Sequence, residues 1–233
     1  MVTIMNAERI ASLLQFADGL FPAGGYAHSF GLETYLQSGA VSDPAGVESV
    51  VRAQLEGQLA SADTVAMLHA MRAAARGDTS ACVELDALAS AMKPVVELRE
   101  ASCQMGRQTI RIAAAIFDHA LIREFAAAVE RGTTPGHQSV AFGVVGGVLG
   151  WPAQAAAIAF MHSTTVAIVS AAVRLLPMGQ LDGQRIIARL APAIARLARH
   201  AMTRDLDGMS SSAVGLEIAA IRHASLEARL FRS

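Results

Sequence analysis

Apolar residues recur at the three- and four-residue spacing of an α-helix along nearly the whole chain. No stretch alternates apolar and polar residues in the two-residue period of a half-exposed strand. That pattern points to an all-α fold. Composition agrees with it. The chain is 53% hydrophobic but only 5% aromatic, so Ala, Leu, Val and Ile carry the apolar share, and alanine is the strongest helix former. A length of 233 residues suits one domain with a full core. The expectation is a single-domain bundle of about ten helices over residues 1–224, followed by a tail, 225–233, that becomes ordered on partner binding.

Helices are expected at 7–17, 26–37, 44–61, 63–76, 80–92, 95–116, 118–131, 138–150, 153–175, 183–203 and 213–224. Asp43-Pro44 is a strong start signal, a cap followed by proline at the first helical position. Gly77-Asp78, the run 132–136 and Pro177-Met-Gly179 are breaks, and the polar stretch 203–212 reads as a mobile loop. In the helix 183–203, Asp182 is the expected N-cap and Pro192 an expected kink. Its Arg185, Arg189, Arg196 and Arg199 form a stripe opposite the apolar face, either a solvated face or a docking edge for an acidic partner. In the expected helix 26–37, a wheel places His28 and Glu33 on different faces and leaves neither face clearly for water.

Charge is sparse at 17% and unevenly spread. Residues 1–100 hold 12 acidic and 6 basic side chains, whereas residues 174–233 hold 5 and 9. Low charge for this size implies surface meant for other protein. A net charge of −1 excludes the dominant basic footprint of a nucleic-acid binder. Between Arg131 and Arg174 lie 42 residues without a charged side chain. A membrane hairpin there is the alternative reading, but the arm from Val140 to Leu149 is about half the ~20 residues a span needs, and both arms are built on Ala and Gly. A buried helical pair fits better. The glycine spacings Gly143/Gly147 and Gly146/Gly150 suit close helix–helix approach. Two cysteines, Cys82 and Cys103, and an N-terminus without signal-peptide character point to the cytoplasm.

Catalytic patterns are missing. The Gly-rich run 143–150 has no Lys-Ser/Thr and no preceding strand, so it is not a phosphate loop. No two of the seven histidines stand at i, i+4 and neither cysteine lies near another, so no metal-ligand cluster is assigned. Ser29 lacks the first glycine of a nucleophile elbow. No catalytic residue is assigned.

Five segments in order resemble the UreF family of urease accessory proteins. They are the run Leu13 to Glu33 containing Phe21-Pro-Ala-Gly-Gly-Tyr-Ala-His-Ser-Phe-Gly-Leu-Glu33, the run Leu98 to Arg107, Val140-Ala-Phe-Gly143, the run Ser170 to Gln184, and the tail Arg229-Leu-Phe-Arg-Ser233. Met178 and Leu181 depart from the usual Leu and Thr, and the tail keeps His223 but lacks a polar His-Glu-Thr run. The resemblance implies an all-α homodimer without catalysis and without a bound cofactor. It would bridge a UreD/UreH-type accessory protein and a UreG-type GTPase on apo-urease, with nickel as the cargo of the complex. It also implies partner-binding roles for Tyr26, His28, Ser29 and Glu33, for Gln180, Asp182 and Gln184, and for Arg229, Phe231 and Arg232. The charge balance and the make-up of the uncharged stretch add the expectation of no contact with nucleic acid or membrane.

Overall fold

The structure, a computed structural model, describes residues 6–233, so residues 1–5 of the expected 1–224 domain lie outside the described residues. The helices are α1 (Ala7–Ala17), α2 (Leu32–Gln37), α3 (Pro44–Gln54), α4 (Thr64–Ala75), α5 (Thr79–Ala91), α6 (Val96–Ile116), α7 (Ala120–Glu130), α8 (Gln138–Val148), α9 (Ala153–Leu175), α10 (Gln180–Met202) and α11 (Val214–His223). No strand occurs among the described residues, and the fold is an all-α single domain. Local signals set the starts. Asp43 accepts from the Gly46 N–H at 2.7 Å with Pro44 at the first helical position, and Asp78 accepts from Ala81 at 3.0 Å.

Helix α8 runs through the centre, and every residue from Ser139 to Gly146 is buried. Its glycines make this arrangement sterically feasible. A β-carbon at Gly143 would fall 2.9 Å from Ala70 Cβ, one at Gly147 2.9 Å from Ala74 Cβ, and one at Gly146 2.6 Å from the Trp151 ring. The sequence spacing therefore marks a backbone-to-backbone seam between α8 and α4. Helix α9 is long and apolar enough to cross a bilayer by length and composition, but half of its most apolar window is buried, and α10 packs along it.

Helices α3 and α4 are joined through a π-helical segment, Leu55–Asp63, where two separate helices, 44–61 and 63–76, were expected. Two carbonyls of this segment are taken up by a distant part of the chain. Gly57 O accepts from the Ser212 N–H at 2.8 Å, and Ser61 O accepts from the Ser210 N–H at 3.2 Å. The stretch 203–212, expected to be loose, is thereby tied to the bundle, with Ser61 Oγ donating to Ser210 O at 2.7 Å.

Helix α10 starts three residues earlier than expected, at Gln180, with Gly179 rather than Asp182 at the N-cap. Asp182 sits in the first turn, accepts from the Gly179 N–H at 3.3 Å and pairs with Arg185 at 3.2 Å. The helix is continuous through Pro192. Its arginine stripe is largely occupied within the chain. Arg189 meets Glu48 of α3 at 2.6 Å, and Arg196 meets Glu56 of the π segment at 3.2 Å.

Candidate docking site at the C-terminal segment

The expected helix 26–37 is broken. Gly25–Ala27 forms one 3-10 turn, and His28 is extended. Phe30 and Gly31 follow with φ of 55° and 86° before α2 begins. Gly31 is required there by conformation and space, because a β-carbon would meet the α11 backbone at 3.1 Å from Leu216 O. His28 and Glu33 are therefore not on one wheel. The break turns Ser29, Phe30 and Glu33 toward the last residues of the chain.

The C-terminal segment is held by backbone and side-chain bonds along its length. Ser233 O accepts from the N–H groups of Ser29 and Phe30 at 2.6 and 3.1 Å and from Ser29 Oγ at 2.8 Å. His28 Nδ1 lies 2.8 Å from Ser233 Oγ, and the Arg232 N–H donates to Ala27 O at 2.9 Å. The Glu33 carboxylate accepts from the N–H groups of Leu230 and Phe231 at 2.7 and 3.1 Å. Gln37 Nε2 donates to Ala228 O at 2.7 Å. Phe231 is buried, and the Arg174 guanidinium lies 4.3 Å from its ring centroid while donating to Tyr26 O at 2.8 Å.

A triad centred on a buried histidine supports this clasp. His223 Nε2 lies 2.9 Å from Glu33 Oε2, and His223 Nδ1 lies 3.1 Å from Glu97 Oε2. Arg229 stands 3.7 Å from the other Glu97 oxygen. Burial alone would raise the Glu33 carboxyl, but the Leu230 N–H, the His223 ring and the Phe231 N–H outweigh it and hold the group below its usual range. Burial, helped by the Arg232 charge, pushes His28 down to about 4, so it meets Ser233 as a neutral ring.

Of the expected partner-binding residues, His28, Ser29, Glu33, Phe231 and Arg232 meet in this clasp. Arg229 borders it through Glu97, and exposed Tyr26 borders it through its carbonyl. Gln180 and Gln184 lie apart on α10, lining a groove of about 200 Å³ with Arg174 and Val173, while Asp182 serves the helix start. Arg174, Glu97 and His223 are members that sequence reasoning missed as site residues. For Arg174 a signal existed, because it ends the long uncharged run.

Elsewhere, Cys103 Sγ lies 3.6 Å from His137 Nε2. Burial raises the thiol, and burial with the charges of Lys93, Arg99 and Arg107 lowers His137 to about 3. The pair is a neutral thiol beside a neutral imidazole, which is not an activated nucleophile. Cys82 is pushed up to about 12 by burial. Among the described residues, no group of three or more His, Cys, Asp or Glu is placed to hold a metal ion.

A UreF family model matches residues 41–191. A urease accessory protein UreF from Xanthobacter autotrophicus is 37% identical over 213 residues, covering 91% of this chain and 86% of that protein. Its counterparts from Paenarthrobacter aurescens and Bacillus sp. TB-90 are 32% and 30% identical, covering 98% and 97% of this chain and the full length of each relative. Together with the helical fold that carries these matched segments, this places the chain in the UreF family of urease accessory proteins.

Proposed function

We propose that the chain is a non-catalytic scaffold of urease maturation, and that the clasp face is where it meets its partners. It bridges a UreD/UreH-type accessory protein and a UreG-type GTPase, acts on apo-urease as a cytoplasmic homodimer, and handles nickel only as cargo of the complex. The observation that carries the reading is a concentration of exposed large apolar side chains on the elements framing the clasp. Tyr26 is 70% and Leu230 64% exposed, and α11 presents Val214, Ile218 and Ile221 at 60%, 45% and 60%. The α11 residues stand at i, i+4 and i+7, one face of a helix that the described residues leave largely open. Such a face rarely stays open to water on a free-standing protein. The buried side of the clasp, Glu33 with Ser29 and His28, presets the backbone that presents Leu230 and Tyr26.

The test uses surface changes that leave the clasp itself intact. Tyr26→Ala combined with Leu230→Asp, and separately Ile218→Asp combined with Ile221→Asp, are assayed by co-purification with UreD/UreH-type and UreG-type proteins. The expected result is at least tenfold less accessory protein retained, with the helical circular dichroism signal unchanged. Full retention by both variants would refute the placement of the interface.

A further inference from the structure

We propose that the C-terminal segment is held by a proton-dependent latch whose switch is the Glu33–His223–Glu97 triad. The inference rests on the docking role proposed above and assigns it a regulatory proton.

The argument is one of donors and acceptors. A carboxylate only accepts, and a neutral imidazole carries a single N–H. Yet both ring nitrogens of His223 face carboxylate oxygens, Glu33 Oε2 at 2.9 Å and Glu97 Oε2 at 3.1 Å. To satisfy both contacts, the triad must hold one proton beyond a neutral ring and two carboxylates. Water does not reach the ring or Glu33 from outside, because His223 is fully buried and Glu33 is 1% exposed, while Glu97 keeps 18% of its side chain exposed on the side where Arg229 stands. The charged groups around the ring are Glu33 from α2, Glu97 from α6, and Arg229 of the tail, which faces the outer oxygen of Glu97.

The same Glu33 carboxylate takes the backbone N–H groups of Leu230 and Phe231. The tail is thus part of what keeps water off Glu33. Loss of the extra proton turns a ring lone pair toward a carboxylate at about 3 Å in a largely buried site, where an unpaired charge is costly. Releasing Leu230 and Phe231 lets water reach Glu33 and relieves that cost. The latch is closed while the triad keeps its proton and opens as rising pH removes it. On the acid side Glu33 stays ionised to below the usual carboxylate range, so the latch does not open there in mildly acid solution.

The decisive variant is Glu97→Gln. Its amide can donate to His223 Nδ1 while Nε2–H donates to Glu33, so a neutral ring satisfies both contacts and the extra proton is unnecessary. Amide hydrogen exchange of the intact chain, corrected for intrinsic rates, is followed at Leu230, Phe231, Ser29 and Phe30 from pH 6 to pH 9. The expected result is a loss of protection of at least tenfold across that range in the natural chain and none in Glu97→Gln. Flat protection in the natural chain, or an equal fall in both, would overturn the latch. Partner co-purification at pH 6 is run in parallel. If the tail follows this curve while the Tyr26/Leu230 and Ile218/Ile221 variants both keep full capture, the docking role fails and the latch stands.

Discussion

The seam between α8 and α4 offers a sharp test, in which two known effects of replacing glycine by alanine have opposite signs. Gly147→Ala, in the last turn of α8, gains at most about 1 kcal/mol from propensity. The added β-carbon, however, would lie 2.9 Å from Ala74 Cβ and inside contact with the Met71 carbonyl oxygen. Unstrained carbons sit about 3.5–4.0 Å apart. The obstructing atoms belong to a helix backbone and a methyl group on Cα, so no rotamer change can clear them. The helices must separate by roughly 1 Å, and gaps of that size forfeit a quarter to a half of each dispersion contact. Overpacking of this kind costs about 1–3 kcal/mol, and the absence of a yielding side chain puts it at or above the upper end. The expected net loss is about 2 kcal/mol, or roughly 4–8 °C in Tm for a chain of this length. Gly143→Ala should behave alike, and the double variant should cost less than the sum, because one displacement relieves both clashes. Gly208→Ala, with no atom within 4 Å of its built β-carbon, should change Tm negligibly. Thermal and urea unfolding followed by circular dichroism measure all four. A Tm for Gly147→Ala equal to or above that of the natural chain would refute the close-approach argument.

The Lys93–Asp63 pair has both Asp63 oxygens within 2.8 Å of Nζ and little exposure on either side. Lys93→Met should therefore lower unfolding free energy by about 3–5 kcal/mol, by leaving a buried charge unpaired. Urea midpoints at constant m-value check this. Arg189→Ala removes an ion pair whose arginine is half-exposed, and should shift stability by less than about 1 kcal/mol despite its 2.6 Å contact. Acid should destabilise the fold well before the carboxylates titrate. His28 and His137 sit at about 4 and about 3 against 6.5 for a free histidine, so below pH 6.5 the unfolded chain binds protons that the folded chain refuses, and stability falls as pH falls. Each contributes about 2 kcal/mol between pH 7 and pH 5, opposed in part by Asp86, whose buried carboxyl is raised. A urea midpoint unchanged between pH 7 and pH 5 would contradict this.

Much of the fold was legible because helix formation is a local matter. The limits of α1 and α9 coincide with the expected 7–17 and 153–175, and the Asp43-Pro44 start is where the capping rule places it. The Gly143/Gly147 spacing indicated a close packing seam without revealing its partner, α4. The errors fall where a distant segment overrides local preference. The residues Gly25 to Gln37 show helical spacing, yet Phe30 and Gly31 leave the helix because α11 lies against Gly31 and the tail needs the Ser29 and Phe30 N–H groups. Residues 55–63 look like ordinary helix, and their π geometry goes with the carbonyl bonds to Ser210 and Ser212. Asp182 has a capping residue's chemistry, and the same carboxylate serves the Gly179 N–H from three positions on.

The site divides the same way. The sequence pointed to His28, Ser29, Glu33, Phe231 and Arg232 through family resemblance, but nothing in their spacing paired the first motif with the tail. Those contacts join residues about two hundred positions apart, Ser29 with Ser233 and Glu33 with Phe231. Glu97 and His223, from two further helices, complete them. Periodicity and capping propensity act within a few residues, so the sequence alone determined most of the helical segments and their apolar faces, and lost its hold at residues 25–31 and 55–63. Only tertiary packing could bring a broken helix, a buried histidine and the end of the chain to one point, because that arrangement depends on long-range hydrogen bonds that leave no local signature.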